Sequence, residues 1–415
     1  MKRKHFLMGF ALLMAMFSVT FIGCKDDDPE DPALETLVAG AIDLNGATSA
    51  TGVPVNPVIE ATFNVEIDPA TATAANITMI QDYDDAGIDL TINVAGKKIT
   101  VTPVDDLGTG TLYELKFGSG IKSVDGLFLA EVTRTFATIG TFAPSGIIAH
   151  WAFESNANDE TGNYNAASNG IVDISYVDSR NAAAGKAANF NGTTSIIEIP
   201  NADPLVNTTD FTISFWVRAI PQEKGHFVLG LAAQYGIQFE IFGGLDGAKF
   251  AVQYELGDGT TASEDMWFPS EATYNENGGW QGWDFAQSLS IPEYVAMVSE
   301  TWLHVTYTYD GAERKGTLYY NSEKMKSFDF DLWPDGDPKR TVVGMKYGGT
   351  EPDVVNDLAF GFIQSRAGTM WDNEPWGGYD FPEANHFKGQ LDDVRIYHKV
   401  LSPVEIQLMY DSEKP

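Results

Sequence analysis

Short runs in which apolar and polar residues alternate recur along most of the chain, separated by turn residues. Between Leu37 and Phe142 they include Val58–Phe63, Ile88–Val94, Lys98–Thr102, Leu112–Phe117 and Thr133–Thr138. Leu90, Ile92 and Val94 share one side at period two, as do Tyr113, Leu115 and Phe117, so each run predicts a half-buried strand. Strands at that spacing predict a sandwich. Gly140, Pro144 and Gly146 then break the pattern, which places a linker at 143–146. From Ile147 onward the alternation resumes. Phe211, Ile213, Phe215 and Val217 oppose Thr212, Ser214, Trp216 and Arg218, and Leu303, Val305, Tyr307 and Tyr309 repeat the motif before the turn at Asp310-Gly311. Helix is predicted only at the end, where Ser402-Pro403-Val404-Glu405 supplies an N-cap, a first-position proline and a capping-box glutamate. The expected fold is all-β: two sandwich domains, at 37–142 and 147–415, with a short C-terminal helix.

The first 36 residues do not follow this pattern. Lys2, Arg3 and Lys4 precede an uncharged apolar run from Phe6 to Ile22, closed by Gly23 and the chain's single cysteine, Cys24. A basic, then apolar, then small-residue order is that of an export signal, and seventeen apolar residues fall short of the roughly 20 that a spanning helix needs. Phe21-Ile22-Gly23-Cys24 resembles the end of a bacterial lipoprotein signal peptide, which implies a leader at 1–23 and a lipid on Cys24. Lys25-Asp26-Asp27-Asp28 resembles the signal that sends some lipoproteins to the outer face of the outer membrane. Residues 24–36, acidic and carrying Pro29 and Pro32, are expected to be an extended tether. One cysteine cannot form an internal disulfide, so the cores must supply stability.

Thr51-Gly52-Val53-Pro54-Val55-Asn56-Pro57, Ala61-Thr62-Phe63, Ile67-Asp68-Pro69-Ala70-Thr71 and Arg134-Thr135-Phe136-Ala137-Thr138 resemble, in order and spacing, a bacterial Ig-like domain. Such a domain is expected to act as a spacer. The second block resembles the laminin-G-like, concanavalin A-type jelly rolls. The resemblance is carried by Ala149–Glu154 with Asp159–Asn163, Ala188–Thr193, Phe211–Arg218, Trp302–Gly311 and Phe387–Tyr397. The stretches 255–300 and 345–386 are longer than that family's core needs, and long excursions on a rigid sandwich are where function sits.

Those excursions are aromatic. Trp267, Trp280 and Trp283 lie in the first, Trp371, Trp376 and Tyr379 in the second, and Trp333 in a separate loop. An exposed indole beside Asp, Asn or Gln complements the flat apolar face and hydroxyl rim of a pyranose. Any one tryptophan is more often core than platform; as a set they make a carbohydrate site the expectation. The jelly-roll resemblance also implies a structural calcium, with Asp392 as a side-chain ligand and a carbonyl near Glu154 as another, while Asp159 and Asn163 either belong to that site or shape a turn; a hard cation needs several oxygens.

The formal charge is −32, and loss of the leader would make it three units more negative. Such a surface repels nucleic acid and disfavours anionic glycans. The second block has no Glu-x-Asp-x-x-Glu strand of the laminarinase type, and there is no Gly-x-Ser-x-Gly, His-Glu-x-x-His or phosphate-binding glycine loop. Acids brought together only by folding, among them Glu240, Glu255, Glu264 and Asp265, leave a divergent glycoside hydrolase open. The reading that emerges is a lipid-anchored, surface-exposed outer-membrane protein. It captures a neutral polysaccharide or oligosaccharide without catalysis and passes it to a glycan transporter complex. An adhesin or matrix protein gripping a protein partner is the alternative.

Overall fold

The computed structural model describes residues 29–269 and 282–415. Cys24 and Trp280 lie outside them. Two β-sandwiches follow one another. In the first, the sheet ordered Ile42–Asp43, Leu34–Ala39, Ile59–Phe63, Lys98–Pro103, Leu90–Ala95 faces a second ordered Ala50–Val53, Val132–Thr138, Leu112–Phe117, Ile77–Gln81. Period two drives the packing: Ile99 and Val101 meet Tyr113, Leu115 and Phe117 in the core, while their sequence neighbours face outward.

The second domain packs a nine-stranded back sheet on an eight-stranded front sheet. The back sheet is built around Lys388–Tyr397, Phe211–Ala219, Leu303–Asp310 and Lys315–Tyr320, and the predicted apolar faces at 211–217 and 303–309 all enter the shared core. In the front sheet His226–Leu231, Ile237–Ile241, Ala248–Leu256 and Thr261–Phe268 are consecutive neighbours, with Thr261–Phe268 at the end of the order. The excursion 255–300 is therefore not a loop throughout. Its first part is a strand that extends the front sheet, Trp283–Ala286 extends the back sheet, and a helix, α1 (Ile291–Val298), follows. Ser290 and Glu293 cap α1 reciprocally, as Ser402 and Glu405 cap the C-terminal helix α2 (Pro403–Glu413).

The Ig-like domain is seated on α2. Phe142 packs with Tyr397, Leu401, Ile406 and Met409, Tyr83 meets Phe142 edge-on at 5.4 Å, and Tyr83 Oη donates to Glu405 Oε1 at 3.2 Å. The expected spacer thus shares a small apolar joint with the domain it carries.

Candidate functional site

The outward face of the front sheet carries the arrangement with most to offer a ligand. Along Ile237–Ile241 and Ala248–Leu256, Ile237, Phe239, Ile241, Phe250 and Val252 point into the core, so Gln238, Glu240 and Lys249 point out. Register aligns these across the sheet: Phe227 lies opposite Glu240, Glu240 opposite Lys249, and Lys249 opposite Trp267. Ala251 pairs with Asp265, which brings that carboxylate into the neighbouring row. With neighbouring strands about 4.8 Å apart, the row from Phe227 to Trp267 spans about 14 Å.

An indole stands at each end. Trp267 is 38% exposed, leans on Phe242 at 5.1 Å and lies 5.9 Å from the Lys249 ammonium. Trp376 is 40% exposed and packs edge-on against Phe227 at 6.1 Å. Between them Lys249 Nζ sits 3.7 Å from Glu240 Oε2 and 3.6 Å from Asp265 Oδ2, beyond ordinary N–H···O length, so its donors are only loosely engaged. Gln238 Nε2 donates to Glu240 Oε2 at 3.1 Å. Burial, reinforced by the Asp265 charge and opposed by Lys249, raises the Glu240 carboxyl above its ordinary value. The strip can therefore both donate to and accept from hydroxyl groups lying between two apolar platforms.

Of the seven aromatics proposed from sequence, only Trp267 and Trp376 fit this description among the described residues. Trp283, Trp333 and Trp371 are buried, at 6%, 6% and 9% exposure, and are corrected to core roles. Trp283 stacks on Phe328 at 6.0 Å beneath the Lys326 ammonium. Trp333 stacks on Phe330 at 4.7 Å and lies so close over Gly282 that a Cβ there would meet its ring at 1.6 Å. Trp371 joins Phe227, Val354 and Phe362 in a satellite core that fixes the second excursion to the front sheet. Tyr379 packs against that core, and its hydroxyl donates to the Thr194 carbonyl. Glu240 and Asp265 are brought together; Lys249 and Gln238 went unremarked in the sequence, although alternation in Gln238-Phe239-Glu240 and Ala248-Lys249-Phe250 marks them as outward polar positions.

The implied calcium ligands do not converge. Asp392 Oδ2 meets Arg180 Nη1 at 2.5 Å, so a guanidinium occupies the place of a cation. Glu154 accepts from the Lys186 N–H at 3.1 Å. Asp159 accepts from the N–H groups of His150, Thr161, Asn163 and Tyr164. Burial opposes its ionisation, but these donors outweigh burial and hold its carboxyl below the ordinary value. It therefore shapes a turn. Among the described residues no group of three or more His, Cys, Asp or Glu is placed to hold a metal. Because Arg180 already holds Asp392, EDTA is expected to leave the thermal midpoint unchanged; a fall that added calcium reverses would restore the calcium reading.

A family model for the bacterial Ig-like domain matches residues 41–138, and one for the concanavalin A-like lectin/glucanases superfamily matches residues 191–354. No curated protein matches the chain. Solved structures similar to it include the binding domain of Paraclostridial Mosquitocidal Protein 1, at 17% identity over 64% of this chain and 52% of that one, with a TM-score of 0.40. Another is the botulinum neurotoxin type G receptor binding domain, at 14% identity, 64% and 51% coverage and a TM-score of 0.37. A third is domain 4 of AbnA, a GH43 extracellular arabinanase from Geobacillus stearothermophilus, in complex with arabinotriose, at 19% identity, 64% and 98% coverage and a TM-score of 0.36. This chain spans about half the length of the two toxin domains. At such identities and TM-scores the likeness carries no functional information.

Proposed function

For a chain in which a bacterial Ig-like domain precedes a concanavalin A-like jelly roll, we propose non-catalytic binding of carbohydrate on the outward face of the front sheet. The observation that carries the reading is the pair of exposed indoles, Trp267 and Trp376, flanking Glu240, Lys249 and Asp265. Indole faces cover the apolar faces of sugar rings, and the charged strip between them exchanges hydrogen bonds with ring hydroxyls. Two carboxylates against one ammonium leave the strip with excess negative charge, and so does the chain as a whole, which favours an uncharged glycan.

The wider setting follows from the N-terminal sequence. Lipid on Cys24 would hold the protein at the outer surface of the outer membrane, an acidic tether would lead to the Ig-like domain, and captured glycan would pass to a transporter. Two lipid signals or several chains are needed for stable anchoring, which an acylated N-terminal cysteine provides.

Native affinity electrophoresis against linear β-glucan, xylan, debranched arabinan, mannan and amylose tests the function. Retardation by at least one is expected. Trp267→Ala and Trp376→Ala should each weaken that binding by about 10-fold or more while the fold persists, because both rings are partly exposed. Trp333→Ala should instead destabilise the domain by about 3–5 kcal/mol. If no polysaccharide retards the protein, the reading fails; release of sugars from a retained polysaccharide would replace capture by hydrolysis.

A further inference from the structure

We infer that the front-sheet site takes an internal stretch of a linear, uncharged polysaccharide, not a chain end or a single sugar. This rests on the proposed carbohydrate-binding function and specifies its mode. The two indoles belong to opposite ends of one cross-sheet row, Phe227–Glu240–Lys249–Trp267, about 14 Å from first backbone to last. A single sugar ring cannot touch both platforms; several linked rings laid along the row can.

The polar groups of the row lie between its two platforms. Trp267 stands on the last strand of the front sheet's order. At the opposite end Trp376 is 40% exposed, with Phe381, 38% exposed, a few residues further along the same excursion. A site that recognised a chain end would need a barrier across the row and donors aimed at the terminal hydroxyl, whereas the hydrogen-bonding groups here, Glu240, Lys249 and Asp265, stand in the middle. Among the described residues the strip is polar at its centre and apolar at both flanks. Such an order suits a chain that passes through.

The test uses the full chain and oligosaccharides of two to six units prepared from whichever polysaccharide is retained in the gel, measured by calorimetry. Affinity should rise by about 10-fold or more from the disaccharide to the hexasaccharide. Reduction of the terminal sugar to its alditol should leave hexasaccharide binding unchanged, and Trp267→Ala or Trp376→Ala should flatten the length dependence. Equal affinity for disaccharide and hexasaccharide, or loss of hexasaccharide binding on terminal reduction, would overturn the internal mode while leaving carbohydrate binding intact. Failure of every polysaccharide to bind removes both.

Discussion

Replacing Arg180 with leucine is expected to cost about 3–5 kcal/mol of folding stability, and Glu413→Ala a similar amount, because each leaves buried charges without partners. Arg180 binds Asp392 Oδ2 and Asp393 Oδ2 at 2.5 Å each and donates through Nε to the Glu413 carbonyl at 2.9 Å. Arg395 meets Asp393 at 2.9 Å and Glu413 Oε1 at 2.8 Å, while Trp216 Nε1 donates to Glu413 Oε2 at 2.8 Å. The side chains of Arg180, Asp392, Arg395 and Glu413 are at most 5% exposed, so water cannot replace a lost partner. Two guanidiniums face three carboxyls. Burial, and next the Asp393 charge, push Asp392 up to about 8, whereas Arg395 foremost, with His150 and Arg180, outweighs burial and holds Asp393 well below the carboxylate range. Within the network Asp392 accepts from Arg180, from Ser179 and from the Asp393 N–H. Through Glu413 the network bolts the last turn of α2 to the back sheet, and α2 in turn seats the Ig-like domain. Urea titration followed by tryptophan fluorescence measures the loss. Arg180→Met combined with Asp392→Leu should recover part of it, since the charge leaves with its first partner. A loss below about 1 kcal/mol for both single variants would mean that the network contributes little.

None of this network could be read from sequence, whereas most of the scaffold could. Alternation at 112–117, 211–217 and 303–309 placed those strands and their inward faces correctly, because a period-two pattern is local, and the run at 98–102 placed its strand. The capping box at Ser402 places α2; the equivalent Ser290-Ile291-Pro292-Glu293 marks α1, a helix that sequence analysis did not predict. Tryptophan exposure divides the same way. In Met266-Trp267-Phe268 the outer residues face the core and Trp267 faces out, an alternation visible in the strand itself. Trp333 and Trp371 are covered by residues distant in sequence, Gly282 and Phe227 among them. Arg180 and Asp392 are 212 positions apart, and family resemblance pointed to calcium where this chain supplies an arginine.

Acidification below about pH 6.5 should draw protons onto three buried histidines and weaken the fold. His226, His304 and His386 are at most 1% exposed. Burial foremost lowers His226 to about 4, His304 to about 3 and His386 to about 4, with Lys388 and Lys224 adding to it at His226 and Arg395 and Arg180 at His304. His304 is also fixed in place, bonded through Nε2 to Ser214 Oγ at 2.7 Å and lying on Trp216 at 4.8 Å. Each ring is neutral in the folded protein, while in the unfolded chain it takes up a proton near pH 6.5. Their stabilisation is therefore complete above about pH 6.5 and is lost as pH falls towards 4, at about 1.4 kcal/mol per pH unit for each histidine. Asp392 acts with the opposite sign: its folded value lies above the unfolded one, so the stability it contributes is present in acid and lost as pH rises through about 8. The raised carboxyls of Glu240, Glu264 and Asp357 share the sign of Asp392 and offset part of the histidine term, so the net acid slope lies below the about 4 kcal/mol per pH unit that three histidines alone would give. Stability from urea titrations between pH 4.5 and 8.5 should show the histidine contribution as a loss on the acid side of about 6.5. His386→Gln, which keeps a polar side chain without the titrating ring, should reduce the acid slope by about 1.4 kcal/mol per pH unit. An acid slope that this substitution leaves unchanged would show that His386 is charged, or solvated, in the folded state.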